Sequence, residues 1–316
     1  SSAAAVTACI VSFNSAPLLR DCLEAFVAQD GVETHAIVHD NASADDSIAI
    51  AEATPRTRVL KSSRNVGFAA GANTAAALAV TPFVLFLNPD AILAPGALRR
   101  LVESLAEAPP FVAGVQPKLI FPGRTERGSR LIDSTGIELS LKNLSPVDRG
   151  AGTPDEGQFD GQTHIFGPTG ACALWRRDVL EKLTVEGQIH DERLFAYYED
   201  VDLAWRANEL GYRFLFVPEA LATHARKNPP HHGPSVDARA FANRYLILVK
   251  NAPLGILWGT FLKTLPYEAL RWAYKSLTQK RFIEAWYQLF ENLPAALRQR
   301  REIRRRAREA ARFPRA

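Results

Sequence analysis

Between residues 6 and 108, short apolar runs alternate with amphipathic ones at an interval that few folds can accommodate. "VTACIVSF" (6–13), "HAIVHD" (35–40), "TRVLKS" (57–62) and "FVLFLN" (83–88) read as strands. Between and after them stand "SAPLLRDCLEAFVAQ" (15–29), "SADDSIAIAEAT" (43–54), "FAAGANTAAALAV" (68–80) and "APGALRRLVESLAEA" (94–108), which read as helices. In the first of these, Leu18, Leu19, Cys22, Leu23, Phe26 and Val27 recur at helical spacing behind Pro17. A parallel pair of strands needs a long crossover, and a helix supplies it. The alternation therefore predicts an α/β fold with a parallel sheet and helices on both faces. "FVLFLN" is almost continuously apolar, as a strand covered on both faces must be.

Such sheets bind ligands beyond the C-terminal ends of their strands. Each strand end here is polar: Asn14, then Asp40-Asn41, then Arg64-Asn65, then Asn88-Pro89-Asp90. Asp90 can hold a hard cation that in turn holds a diphosphate, or "NPD" is an ordinary turn. Asp40 precedes Ser43, which reads as a helix cap. Gly67 and Gly71, beside Asn65 and Asn73, let backbone approach a ligand or a neighbouring helix. This is not GxGxxG, so a dinucleotide fold has no support.

"RLFAYYEDVDLAWR" (193–206) sets Glu199, Asp200 and Asp202 among aromatic and aliphatic residues. Charges in such company are paired, bind a metal or do chemistry. The stretch opens a helix, on which Asp202 and Arg206 are four apart and can pair. Asp200 is left without a local partner. It is a general-base candidate, or part of an exposed charged face. In "GPTGACALWRRDVL" (167–180), Gly170 and Ala171 either floor an acceptor pocket or simply pack. "THARKNPPHHGPS" (223–235) holds three His; His224, after the strand "YRFLFVP" (212–218), is a metal ligand or a structural residue.

Hydrophobic residues make up 47% of the 316 and charged residues 23%, which sets disorder aside. Cys9, Cys22 and Cys172 form no CxxC, so no disulfide framework or zinc site is expected and a reducing cytoplasm fits. No signal-peptide pattern is visible at the start. The apolar stretch "PLGILWGTFL" (253–262) is far shorter than the roughly 20 residues of a membrane span. The chain is +4 overall, but residues 294–316 carry nine Arg against two Glu, which leaves the remainder at −3. A basic tail suits phosphates, either lipid headgroups or nucleic acid. Nucleic acid is disfavoured, because no aromatic platform interleaves the Arg run.

Residues 1–240 read as the α/β domain and 241–316 as a helical, basic C-terminal region. In the latter, "LPYEALRWAYKSLTQKRFIEAWYQLF" (265–290) mixes Trp272, Tyr274, Trp286 and Tyr287 with Lys and Arg, which suits a membrane interface. The same helices would serve equally as a subdomain on the core or against a second copy in a homo-oligomer. The membrane reading assigns the docking to residues 294–316.

Taken in order, "VSFN", "DNASADDS", "RNVGFAAGAN", "FLNPD", "GACALWRRD", "YYEDVDLAWR" and His224 resemble glycosyltransferase family 2, over about residues 6–235. Within the family the likeness is to rhamnosyltransferase-type enzymes of bacterial cell-wall and surface-polysaccharide assembly. The resemblance implies a GT-A nucleotide-sugar-binding fold. It implies that Asp40 reads a pyrimidine base and that Ser12, Phe13, Asn14 and Arg64 hold the nucleoside. Asn41, Asn65, Gly67, Asn73 and Asn88 fall on the same donor side. Asn88-Pro89-Asp90 occupies the DxD position, with Asn88 in place of the first Asp. Asp90 would then bind Mg²⁺ or Mn²⁺ on the diphosphate, with His224 as a further ligand. Asp200 would be the base, Glu199 its neighbour, and Gly170, Ala171, Trp205 and Arg206 the acceptor side. His190-Asp191-Glu192 stands where relatives usually read Phe-Asp-Glu, which bears on acceptor preference.

The implied activity is inverting transfer from dTDP-rhamnose, or a UDP-sugar, to a glycan or lipid-linked acceptor. It would take place in the cytoplasm, peripherally on the inner face of the membrane. Without turnover, the same chain would be a nucleotide-sugar-binding or membrane-scaffold protein.

Overall fold

The computed structural model describes residues 4–123, 128–140, 145–225 and 234–312. The first half follows the alternation: β1 (Ala4–Ser12), α1 (Ala16–Val27), β2 (Val32–Asp40), α2 (Ser47–Ala53), β3 (Thr57–Lys61), α3 (Phe68–Ala76) and β4 (Phe83–Leu87). β1 pairs in parallel with β2 on one side and β4 on the other, and β2 pairs in parallel with β3. The chain thus steps outward from β1 to β3, then crosses back to the far side of β1. Connections diverge at β1, so a crevice opens at its C-terminal end, at Ser12.

Period-two alternation divides each central strand between two cores. Val6, Ala8 and Ile10 of β1 face a cluster with Leu19, Leu23 and Phe26 of α1. Cys9 and Val11 face the opposite cluster, with Ala72 and Ala75 of α3. α3 lies close to the sheet because a Cβ at Gly71 would stand 3.0 Å from His39 and Val11.

Past β4 come β5 (Ala91–Leu93), α4 (Ala97–Glu107), β6 (Val112–Ile120), β7 (Ile132–Ser134), β8 (Ile137–Leu139), β9 (Pro146–Asp148), β10 (His164–Ile165), β11 (Cys172–Arg176), α5 (Arg177–Leu183), α6 (Glu199–Glu209) and β12 (Arg213–His224). β11 runs antiparallel between β4 and β6, and β12 is parallel to β6. The main sheet has the order β10-β12-β6-β11-β4-β1-β2-β3, with β5 added to β12 and β7 to β6, while β8 and β9 form a separate hairpin. Three helices complete the chain: α7 (Pro234–Asn251), α8 (Leu254–Thr278) and α9 (Ile283–Arg312).

Several expectations are corrected. α2 begins at Ser47, not 43; Asp46 holds the cap position, and the Ser43 hydroxyl instead accepts from the Asn14 N–H at 2.9 Å. β12 does not stop at 218. A bulge between Val217 and Leu221 carries it on, and His224 is its last residue. The division at 240/241 falls inside α7. That helix is bound to the body: Lys250 donates to Asp191 at 3.0 Å and to Asp202 at 2.8 Å, and Asn251 donates to Asp202 at 2.8 Å. Part of the basic tail is bound to the body as well. Arg300 donates to the Val249 carbonyl, Arg304 to Glu209 and the Asn251 carbonyl, and Arg306 to the Thr184 carbonyl. His231, His232 and Arg315 lie outside the described residues.

Candidate active site

The strand tips form the floor of the site. Ser12 and Asp40 are register partners at the ends of β1 and β2. Both are buried, and neither the Ser12 hydroxyl nor Asp40 Oδ2 has a hydrogen-bond partner among the described residues. Native proteins pair such atoms, so two adjacent orphans mark a place where a polar ligand completes the set. The other Asp40 oxygen accepts from the Ser43 N–H at 2.8 Å, which fixes the carboxylate. Phe13, at the same tip, is 49% exposed and offers a ring face.

Asn14 reaches the next tip: its side-chain oxygen accepts from the Ala44 N–H at 2.8 Å. Asn41 likewise reaches across to the loop after β3. Its oxygen accepts from the Val66 N–H and its amide donates to the Gly67 carbonyl. Asn65 accepts from Gly67 N–H at 2.9 Å and shapes that same loop, and Arg64 is exposed on it.

The corner at β4 and β5 holds Asn88 and Asp90. Asp90 Oδ1 lies 3.2 Å from His224 Nε2, and His224 Nδ1 lies 2.8 Å from Asp133 Oδ2. Burial disfavours charge on this imidazole. The hydrogen bonds and charges of Asp133 and Asp90 outweigh that, and push its pKa up to about 9. Asp133 fixes the ring so that Nε2 faces Asp90, the role outer partners play for metal-binding His. Asp133 lies on β7, which is three residues long.

Among the described residues no group of three or more His, Cys, Asp or Glu side chains can hold a metal by itself. One carboxylate and one imidazole nitrogen nevertheless fit a divalent cation whose other positions are filled by diphosphate oxygens and water, the habit of Mg²⁺.

The acceptor-side wall is the segment entering α6. Phe195, Tyr197 and Tyr198 all have positive φ, of 62°, 70° and 72°. Left-handed backbone at three bulky residues is strained and persists only where surroundings over-determine it. Here they do. The Asn243 amide of α7 donates to the carbonyls of Leu194, Ala196 and Tyr197, and its oxygen accepts from Gln288 of α9. From the other side, Ala69 N–H donates to the Phe195 carbonyl at 3.0 Å. A Cβ on Gly67, whose φ is +89°, would fall 2.6 Å from Phe195, so only glycine lets the two loops touch. Asn73 ties down the preceding residues by donating to the His190 carbonyl and accepting from the His190 N–H. It is a strut between α3 and this loop. Asn243 escaped the sequence reading because the C-terminal helices read as an appendage.

This wall presents Glu199 and Asp200. Asp200 accepts from Gly170 N–H at 2.8 Å and from Val201 N–H at 2.7 Å, so it does have partners, but they are backbone donors and not cations. Burial raises both carboxyls, Glu199 well above its usual range with the Asp200 charge adding to the effect. The two N–H groups pull Asp200 back down. Glu199 Oε2 is buried without a hydrogen-bond partner among the described residues.

Two of the acceptor-side residues have partners elsewhere. Arg206 is buried; it pairs with Asp202 at 3.1 Å and donates to the carbonyls of Leu183 and Ile189, so its guanidinium is turned into the body. Trp205 sits five residues beyond Asp200, roughly 140° round the helix. It packs edge-on against Phe166 and lines a groove of about 420 Å³ on that other side.

The two halves meet at Gly170-Ala171. Gly170 N–H donates to Asp200, and the next carbonyl, of Ala171, accepts from Asn88 N–H at 2.9 Å. One dipeptide therefore joins the carboxylate of α6 to the turn that carries Asp90. A profile for glycosyl transferase family 2 matches residues 7–184, more than half the chain. The chain belongs to glycosyltransferase family 2. This family-2 chain is accordingly a glycosyltransferase, and the expected GT-A fold is borne out by solved structures.

A mannosyltransferase from Pyrobaculum calidifontis, solved with GDP-Man and Mn²⁺, aligns with a TM-score of 0.56 at 18% identity, over 97% of this chain and 86% of that one. S. aureus TarS residues 1–349 align with a TM-score of 0.53 at 16% identity, over 98% and 91%. These likenesses concern the fold. In sequence, an N-acetylglucosaminyl-diphospho-decaprenol L-rhamnosyltransferase of Mycobacterium tuberculosis is 26% identical over 236 residues, 67% of this chain and 75% of that protein.

Proposed function

We propose that this glycosyltransferase moves rhamnose from dTDP-rhamnose onto a glycan carried by a polyprenyl diphosphate, with inversion at the anomeric carbon. The observation that carries the reading is the single rim on which Gly170-Ala171 joins Asp200 to the turn of Asp90. The Mycobacterium relative, named for rhamnose transfer to a decaprenol-linked acceptor, supports the choice of donor and acceptor.

The base occupies the β1–β2 crevice, where Ser12 Oγ and Asp40 Oδ2 supply the unpartnered polar atoms and Phe13 a face to stack on. The diphosphate then runs along the strand tips toward Asp90. Asp90 and His224 would hold a cation, Mg²⁺ or Mn²⁺, that would supply positive charge to the leaving diphosphate; the mannosyltransferase was solved with Mn²⁺. The acceptor hydroxyl is a weak nucleophile at neutral pH. Asp200 takes its proton as the new C–O bond forms and the bond to the diphosphate breaks, a contribution of roughly 10²–10⁴ in rate. Glu199 keeps its own proton and stays out of the transfer. Asp200 is held by two N–H bonds and needs no side-chain rearrangement to act.

The test is a transfer assay with dTDP-rhamnose and UDP-sugars on a polyprenyl-diphosphate N-acetylglucosamine acceptor, with Mn²⁺ and with EDTA. Metal-dependent rhamnosylation supports the proposal. Transfer from a UDP-sugar alone corrects the donor, and undiminished transfer in EDTA removes the cation.

A further inference from the structure

α8 holds to the rest of the molecule by a narrow stripe. Thr264, Glu268, Trp272 and Lys275 recur at spacings of three and four and lie on one side of the helix. Among the described side chains, the opposite side faces solvent and carries Trp258, Leu262, Tyr267, Leu270, Tyr274 and Leu277, each between 59% and 87% exposed. Single exposed apolar residues are ordinary; a run of them along one 25-residue helix marks an interaction surface.

Charge narrows the choice of partner. The one acid of α8, Glu268, is buried, paired with Arg244 at 2.8 Å and Arg271 at 3.1 Å, and accepts from the Tyr245 hydroxyl. The solvent-facing side of the helix therefore has no acid. It has Lys263, and Lys280 and Arg281 follow just past its end. Leucine and aromatic rings beside lysine suit a layer that is apolar below and anionic above. A second copy would bring the same cations against one another. Among the described residues no helix is long and apolar enough to cross a membrane. Of the α9 arginines, Arg300, Arg304 and Arg306 are bound to the body, while Arg301, Arg308 and Arg312 are exposed and are weighed against α8 in the experiment below.

We infer that the solvent-facing side of α8 docks on an anionic lipid bilayer and lies in its headgroup plane. This moves the contact from the basic tail to the aromatic helix. α7 links that face to the site: Arg244 anchors α8 through Glu268, and the adjacent Asn243 holds the loop that presents Asp200. The inference rests on the lipid-linked acceptor only for its purpose. Vesicle binding needs neither donor nor acceptor, so a failed transfer assay and a failed docking are separate results.

The experiment is co-sedimentation of the full chain with phosphatidylcholine vesicles and with vesicles containing phosphatidylglycerol. The wild type should bind the anionic vesicles. Leu262→Ser/Leu270→Ser/Leu277→Ser should bind at least about tenfold more weakly while still binding nucleotide, given the apolar area removed. Substituting Arg301, Arg308 and Arg312 with Gln should cost much less. In the unaltered fold, brominated acyl chains should quench a component of tryptophan fluorescence that Trp258→Phe removes. Binding by the triple variant equal to wild type, or no quenching through Trp258, overturns the inference. So does a wild type that ignores vesicles and forms a dimer which the triple variant dissolves.

Discussion

The donor half of the site and the acceptor half are built by different means. On the donor side, polar residues sit where strands of the sheet end, and at β1 and β2 the register alone aims them. Ser12 and Asp40 face each other because β1 and β2 are in register. On the acceptor side, Glu199 and Asp200 follow three aromatic residues with positive φ, and that loop keeps its shape through Asn243 and Gln288, which lie much later in the chain. The first half follows from the fold. The second is strained backbone held by buried amides, and its geometry depends on helices that touch no substrate in this account.

The largest expected effect falls on the acceptor half. Asp200→Asn should lower transfer by roughly 10²–10⁴, whereas Glu199→Gln, which mimics a carboxyl already protonated, should cost less than about tenfold. Equal losses in the two variants, in steady-state assays, would mean that the roles of the pair are shared or reversed.

His190 sharpens the contrast through pH. Its ring lies edge-on to Phe86 at 4.7 Å, and burial, with the Arg206 charge, lowers its pKa from 6.5 to about 4. The unfolded chain therefore takes the proton first. Between about pH 6.5 and 4 the unfolded state binds more protons, and stability falls as pH falls, by about 3 kcal/mol in all. His190→Phe should flatten that slope in denaturant titrations across this range. An unchanged slope would place its origin elsewhere.

The fold was legible in the first 108 residues because strands buried on both faces and amphipathic crossovers leave separate periodicities. The donor tips were legible for the same reason: Asp40 and Asp90 stand where strands stop. Legibility ended where a residue's partner is remote. Arg206 read as an acceptor contact because its carbonyl partners, Leu183 and Ile189, belong to another segment. Asn73 read as a nucleotide contact because its partner is the His190 backbone, across the site. Asp133 drew no notice in the sequence because β7 is three residues long and gains meaning only against His224.

That last residue probes the donor half. Asp133→Asn should leave the fold intact and weaken Mn²⁺ binding in the presence of nucleotide by roughly 10–100-fold, read by calorimetry, since the imidazole loses the partner that orients it. Wild-type Mn²⁺ affinity would make the Asp133 contact merely structural. The smallest effect belongs to Asn243→Ala. Losing the amide leaves the carbonyls of the Leu194–Tyr197 loop short of donors and should cost about 1–3 kcal/mol in chemical denaturation. It should also lower kcat while nucleotide affinity holds. A fall in nucleotide affinity instead would show that the halves are not separately supported.

The central claim is that Asp90 and Asp200 open onto one hollow in which donor and acceptor meet. A crystal structure of the chain soaked with dTDP and Mn²⁺ tests it most directly. The account predicts the base against Ser12 and Asp40, the metal at Asp90 and His224, and the terminal phosphate facing Asp200 across Gly170. Nucleotide bound at another surface, or a metal bound with Asp200 on the far side of a closed wall, would contradict it.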